Sequence, residues 1–188
     1  MKILCLNASP RKNGYTSKIL TKMIEESKNQ YDINQVNVYD LDFQPCYGCL
    51  QCRPDRSCVL PSDDAHKIAS KINEADALII GTPTYWGNIP GPLKSLFDRL
   101  VPTFEYIGEG LPKPMQKGKP AIIVVTSNAP WPYHILKTQS RGTVQAVRTV
   151  LKAGGFTIKG ILNMPNAKKY DSIPKKYVNK AQSLTNKL

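Results

Sequence analysis

The sequence predicts an α/β fold: a doubly wound, three-layer sandwich whose five parallel strands are covered by helices on both faces. Strand-like and helix-like segments alternate along the chain, the order that builds a parallel sheet. Two of the strand-like runs, ALII at 77–80 and AIIVV at 121–125, are apolar at every position, as strands buried on both faces are. The length of 188 residues suits one domain with a real core, and no internal repeat, low-complexity tract or linker interrupts the pattern. A single domain over 1–188 is therefore expected.

The first strand is KILCLN at 2–7, ending at a turn; Ile19, Leu20, Met23 and Ile24 then recur at helical spacing within 16–27. Ile33, Val36 and Val38 among polar residues mark a second strand at 33–40. A helix is expected around 63–73, with Ser62 or Asp63 as its N-cap. ADALIIG at 75–81 is the third strand, and PLKSLFDRL at 92–100 the following helix, with Pro92 in the first turn where its missing N–H is not needed. AIIVVTS at 121–127 is the fourth strand. Val144, Val147 and Leu151 share one face of a helix over 142–153 that stops at Gly154-Gly155. FTIKGIL at 156–162 is the fifth strand, and 172–187 a polar closing helix.

Composition excludes several classes. A hydrophobic share of 41% with 21% charged residues is that of a globular protein, not a disordered one. The longest apolar runs fall far short of the roughly 20 residues of a membrane helix. MKILCLNASP reads directly as a strand and turn, without the apolar segment of a secretory signal, so a cytoplasmic location is expected. In that reducing compartment an odd count of 5 cysteines argues for metal or redox chemistry rather than a disulfide framework. The excess of 26 Lys plus Arg over 14 Asp plus Glu, +12 net, favours anionic partners. Basic residues are scattered from Lys2 to Lys187 with no recognition motif, so phosphorylated cofactors are the expected anions, and neither nucleic acid nor a membrane is an expected partner.

In a doubly wound sheet, ligands bind beyond the carboxyl ends of the strands, near the point where strand order reverses. Chemistry is therefore expected just after residues 7, 81 and 126. After the first strand stands NASPRKNGYTSK, 7–18, a polar turn that opens a helix, where free N–H groups and the helix dipole favour an anion. Ser9, Thr16 and Ser17 can donate to phosphate oxygens and Arg11 adds charge. The alternative is an ordinary turn with Thr16 or Asn13 as N-cap. Neither G-x-x-x-x-G-K-[ST] nor G-x-G-x-x-G occurs, so neither a P-loop nor a Rossmann dinucleotide site is supported. After the third strand comes GTPTYWGNIPGP, 81–92, a proline-stiffened loop whose Tyr85 and Trp86 could cover a flat ring, or else pack on the core or at a subunit interface.

Three segments resemble the NAD(P)H-dependent FMN reductase family of flavodoxin-like proteins, and within it the iron–sulfur flavoprotein branch. SPRKNGYTSK is similar to that family's FMN phosphate loop, PTYWGNIPGPLKSLFDR to its flavin-ring loop and following helix, and CYGCLQCRPDRSCVLPSDD to its cysteine segment. The likeness covers roughly residues 1–165. It implies a flavodoxin-like sheet with strand order 2-1-3-4-5. It implies that Ser9, Arg11, Thr16 and Ser17 hold the FMN phosphate, with Asn13 beside them in the cofactor site. Pro83, Thr84, Tyr85, Trp86, Gly87 and Asn88 would line the isoalloxazine and ribityl chain, and Ser127 and Asn128 would close the third side. Tyr15 departs from the pattern, since many relatives carry Asn there.

Cys46-x2-Cys49-x2-Cys52-x5-Cys58 concentrates four cysteines in an expected loop at 45–64. Four thiolates are what a [4Fe–4S] cluster requires, and C-x2-C-x2-C is one way to present three of them. Structural zinc more commonly takes two separated pairs. The resemblance leaves two readings open. One is a cluster held by Cys46, Cys49, Cys52 and Cys58; the other is thiols that are structural or simply inherited, as in reductases that share the segment but are not known as cluster proteins. Cys5, inside the first strand, is expected to be a small core residue. His66 and His134 lack an evident partner and are expected in surface or packing roles.

The resemblance therefore implies an FMN-dependent oxidoreductase in which NAD(P)H gives hydride to the flavin and a small-molecule acceptor takes the electrons, with no side chain nominated as general acid or base. The alternative is an electron carrier, with FMN and a cluster accepting electrons from an acidic ferredoxin-like partner docked on the basic surface. The resemblance also implies a homodimer or homotetramer with the flavin near a subunit boundary.

Overall fold

Leu4 and Leu6 of the first strand face one helix layer while Ile3 and Cys5 face the other, and the central strands repeat this alternation. In the computed structural model, which describes residues 1–53, 57–108 and 110–188, the elements follow one another as strand, helix, strand through most of the chain. They are β1 (Lys2–Asn7), α1 (Tyr15–Ser27), β2 (Asp32–Asn37), α2 (Asp64–Glu74), β3 (Ala77–Pro83), α3 (Gly91–Arg99), the single turn α4 (Val101–Phe104), a small antiparallel pair β4 (Glu105–Tyr106) and β5 (Lys113–Pro114), β6 (Pro120–Thr126), α5 (Ser140–Ala153), β7 (Thr157–Met164) and α6 (Lys175–Thr185).

The main sheet runs β2-β1-β3-β6-β7 with every neighbouring pair parallel. Counting only its own five strands, this is the flavodoxin-like order 2-1-3-4-5. Leu4, Leu6, Leu78, Ile80, Ile123 and Val125 pack against α2, α3 and α5 through Ile68, Ile72, Leu93, Leu96, Val147 and Leu151. Ile3, Cys5, Ile79, Ile122 and Val124 pack against α1 and α6 through Ile19, Leu20, Met23, Tyr177, Ala181 and Leu184. Each large apolar side chain so buried contributes about 1.5–3 kcal/mol. Two cores, one per sheet face, hold the strands in place. Cys5 is part of the second; burial pushes its thiol up to about 12, so it stays protonated and inert.

Where boundaries differ from expectation, side chains explain it. β2 ends at Asn37 rather than 40 because Val38 turns into the core and Val38–Asp40 winds into a 3-10 turn, with the Asn37 side-chain amide donating to Asp40 at 3.1 Å. The closing helix is polar only on its outer side: Lys175, Lys176 and Lys180 are exposed while Tyr177, Ala181 and Leu184 are buried. α4 and the β4/β5 pair follow α3 without having been anticipated from the sequence. Asp63 is the N-cap of α2, accepting from the Ala65 N–H, and His66 closes the capping box.

Strand order reverses between β1 and β3, and there the Ala8 N–H donates to the Gly81 carbonyl at 2.8 Å. A Cβ on Gly81 would run into the Leu20 side chain, so glycine lets α1 lie close on this part of the sheet. The start of α1 is thereby held beside the ends of β1, β3 and β6. Among the described residues no helix is long and apolar enough to cross a membrane.

Candidate active site

The loop from β1 to α1 curls around one carbonyl. The oxygen of Arg11 accepts from the Gly14 N–H at 2.9 Å, the Ser9 hydroxyl at 3.1 Å and the Ser17 hydroxyl at 2.8 Å. Asn7 braces the turn from below: its Oδ1 accepts from the Ser9 N–H, and its amide donates to Ser17 Oγ and to Asn37 Oδ1. α1 then begins after Gly14 with no side chain capping it and no acidic residue in its first turn. Its first N–H groups and its dipole are therefore free for an anion.

The second wall is the turn Tyr85–Asn88. Tyr85 and Asn88 exchange both backbone hydrogen bonds, at 2.9 and 2.8 Å, and the two residues between them have positive φ, +51° at Trp86 and +71° at Gly87. That is a type I′ turn, which demands left-handed backbone at both central positions. The Thr143 hydroxyl on α5 lies 3.1 Å from both Thr84 Oγ1 and the Asn88 carbonyl, pinning the turn to α5. The packing there is tight: a Cβ on Gly87 would meet the Thr138 backbone, and one on Gly142 would meet the carbonyls of Lys137 and Gly87.

The third wall follows β6. The Ser127 N–H donates to the Met164 carbonyl at 3.0 Å and its carbonyl accepts from Ala167 at 2.9 Å, so its backbone is spoken for. Its hydroxyl is not: Ser127 Oγ is buried without a hydrogen-bond partner. Together these walls enclose a cavity of about 380 Å³ at the switch point, within the size range of small-molecule sites. Ser9, Arg11, Asn13, Thr16, Pro83, Thr84, Tyr85, Ser127 and Asn128 all line it. Ser17, Trp86, Gly87 and Asn88 do not. Ser17 is turned toward Asn7 and the Arg11 carbonyl; Trp86 stands fully in solvent at 101% exposure; Gly87 and Asn88 shape the turn behind the cavity.

Sequence reading did not name Asn7, Pro10, Gly14, Thr126 or Ala167 as site residues, and took Tyr15 only as a departure from the family pattern. All but Asn7 line the cavity, and Asn7 organises the loop. The position of Asn7 at the end of a strand was its one available signal.

The cysteine loop lies beyond the opposite end of α3, and its residues 54–56 are outside the described residues. Cys46, Cys49, Cys52 and Cys58 all line one small cavity of about 70 Å³, together with Asp98 and Arg99. None is in a disulfide. Gly48 at φ +73° and Leu50 at φ +59° turn the loop through left-handed backbone between Cys46 and Cys52. Burial, then the nearby thiols of Cys58, Cys46 and Cys49, raise the Cys52 thiol, and a hydrogen bond with Cys49 raises the Tyr47 phenol. Both ends of the loop are moored: the His66 ring nitrogen Nε2 lies 2.9 Å from the Cys58 carbonyl, and the Gln44 carbonyl accepts from Arg99. Among the described residues no group of three or more His, Cys, Asp or Glu is close enough together to hold a single metal ion.

An open parallel sheet of this order, with an uncapped helix start and a cavity at its switch point, defines the flavodoxin-like class. Within it, the chain matches the family described as NADPH-dependent FMN reductase over residues 1–164, and it belongs to that family. Two iron–sulfur flavoproteins, from Methanosarcina thermophila and Archaeoglobus fulgidus, are 37% and 40% identical over 102 and 101 residues. Those matches cover 54% and 53% of this chain and 53% and 48% of theirs, so the chain spans about half the length of these curated relatives. An FMN-dependent NADH:quinone oxidoreductase from Burkholderia lata is 29% identical over 187 residues, 90% of this chain and 85% of its own. Among solved structures, Smu.1420 from Streptococcus mutans UA159 superposes over 100% of both chains with a TM-score of 0.79 at 20% identity, which shows a shared fold.

Proposed function

We propose that this chain is an FMN-dependent oxidoreductase that draws electrons from a nicotinamide and passes them to a small-molecule acceptor. The observation that carries the reading is the buried, unpartnered Ser127 hydroxyl in a cavity whose other wall is the uncapped start of α1. A polar ligand bearing a phosphate satisfies both at once. Ser9, Arg11, Asn13 and Thr16 would hold that phosphate, and Pro83, Thr84, Tyr85, Ser127 and Asn128 the ring and its chain. Ser17 acts indirectly, by fixing the Arg11 carbonyl. Bound there, FMN would supply hydride acceptance from NAD(P)H and electron delivery to the acceptor. Tyr85 and Pro83 would cover one side of the ring; exposed Arg11 and the +12 surface draw anionic cofactors in. No side chain is assigned a proton-transfer step. To test this, FMN-loaded protein is mixed anaerobically with NADH and with NADPH. Bleaching of the flavin band is expected with at least one; an unbleached band with both rejects the reading.

A second reading adds a [4Fe–4S] cluster held by Cys46, Cys49, Cys52 and Cys58, in a carrier that takes electrons from a ferredoxin-like donor. It is favoured by the convergence of four free thiols on one cavity beside a buried arginine. Four thiolates are the donor set that a cubane cluster takes. Faster reduction by ferredoxin than by nicotinamides, with about four irons per chain, is the expected result for this reading. We also place the protein in the cytoplasm as one domain over 1–188 and as a homodimer or homotetramer; exposed Trp86, Trp131 and Tyr133 are the kind of aromatic surface that subunit boundaries use.

A further inference from the structure

α3 ends by burying a cation beneath the cysteine loop. Arg99 is 3% exposed, yet it closes no part of the flavin cavity. Its Nη1 donates to the Gln44 carbonyl and, at 2.7 Å, to Asp63 Oδ2, and its Nη2 donates to Asp63 Oδ1 at 3.0 Å. Its Nε is buried with no partner. The one carboxylate that pairs with it among the described residues, Asp63, is shared, accepting also from the N–H groups of Ala65 and Gln44. Anchoring a loop needs one or two neutral donors. A buried guanidinium is a costly way to provide them, because desolvating the charge costs several kcal/mol unless opposite charge repays it. Asp63 repays part. Among the described residues the cavity that Arg99 lines is also lined by the thiol set, Cys46, Cys49, Cys52 and Cys58, and by Asp98, whose carboxylate is already paired with Lys94 at 2.6 Å. Arg53 lines it too, but from the exposed side, where solvent screens its charge.

We propose that Arg99 is the fixed counter-charge of the four-cysteine site and raises the reduction potential of an iron–sulfur cluster held there. The inference rests on the cluster reading above. An iron–sulfur core carried by four thiolates is an anion, and taking up one electron makes it one unit more negative while no bond breaks and no proton moves. Net charge and hydrogen bonds to sulfur are the levers that set such potentials. A buried cation favours the more negative state, so Arg99 shifts the equilibrium toward reduction. Asp63, which partly neutralises Arg99, shifts it back. The two residues are positioning groups with opposite signs.

Wild type, Arg99→Met, Arg99→Lys and Asp63→Asn are reconstituted with ferrous iron and sulfide without air. Iron is counted, and each is titrated with dithionite at controlled potential, read by visible absorbance and electron paramagnetic resonance. Arg99→Met is expected to lower the reduced-to-oxidised ratio at fixed potential at least tenfold, 59 mV for one electron. Asp63→Asn, which keeps a good helix cap, is expected to raise it. Arg99→Lys keeps the charge without the planar donors and falls between wild type and Arg99→Met. If Arg99→Met does not fold, Asp63→Asn and Arg99→Lys still decide by their opposite shifts. Four irons per wild-type chain with unshifted potentials in the variants, or shifts of one sign, overturns the inference and leaves the cluster reading standing. A wild-type chain that takes up no iron overturns both, while its flavin chemistry is read separately.

Discussion

Thr16 and Thr126, 110 residues apart in the chain, join their hydroxyls at 2.7 Å in the lining of the switch-point cavity. Both are buried, so each hydroxyl depends on the other. Replacing one by Val leaves its partner buried and unpaired, at a cost of about 1–3 kcal/mol. The double variant Thr16→Val with Thr126→Val removes both polar groups at little change in volume and is expected to recover much of that loss. Urea unfolding of the four proteins as a double-mutant cycle measures the coupling; strictly additive losses would show that the pair does not act as a pair.

Ser127→Ala separates stability from ligand binding. Its buried hydroxyl has no partner in the protein, so removing it is expected to leave the melting temperature of the cofactor-free chain unchanged or slightly raised. FMN affinity, followed by quenching of flavin fluorescence, should fall about tenfold, the worth of one good hydrogen bond. A drop in the cofactor-free melting temperature with unchanged affinity would contradict this.

Trp86 combines full exposure with φ +51°. It contributes no burial to this chain, and a bulky residue in left-handed backbone costs about 1–2 kcal/mol. Asn tolerates that conformation, so Trp86→Asn is expected to stabilise the isolated chain by about 0.5–1 kcal/mol. Thermal unfolding at low protein concentration checks the sign. At high concentration the gain shrinks or reverses if Trp86 packs against a second copy.

Asp63 supplies an acid-sensitive contribution. Burial works against its charge, but hydrogen bonds from Arg99 and the Gln44 N–H outweigh it and lower the carboxyl from 3.8 to about 2. Its folded value lies below its unfolded one, so its contribution is complete above the unfolded value and is lost as pH falls from there toward about 2. The loss is about 1 kcal/mol once solvent screening is allowed for. Urea midpoints at pH about 6, 4 and 2.5 should decline more steeply in wild type than in Asp63→Asn.

The sequence made the sheet legible because ALII and AIIVV are apolar at every position, and a strand buried on both faces has no other composition to choose. Ser9, Arg11 and Thr16 were readable from the rule that places ligands after strand ends, and Ser127 from the family resemblance. Ser17 shows the limit of that rule: successive helix residues point about 100° apart, so Thr16 can face the cavity only if Ser17 turns elsewhere. Thr126 and Asn7 escaped notice because small polar residues at strand ends are common and their partners lie far away in sequence. The Trp86–Gly87 turn was hidden too, since left-handed pairs are usually announced by Asn-Gly. Asp63 was readable as a cap, but nothing local pairs it with Arg99, 36 residues on.

Gly87 and Gly142 clasp the Tyr85 turn to the segment that leads into α5, each lacking the one carbon that would pry the other strand of chain away. The Thr143 hydroxyl ties the turn to α5 through Thr84 Oγ1 and the Asn88 carbonyl, so outward movement of the turn alone has to break both contacts.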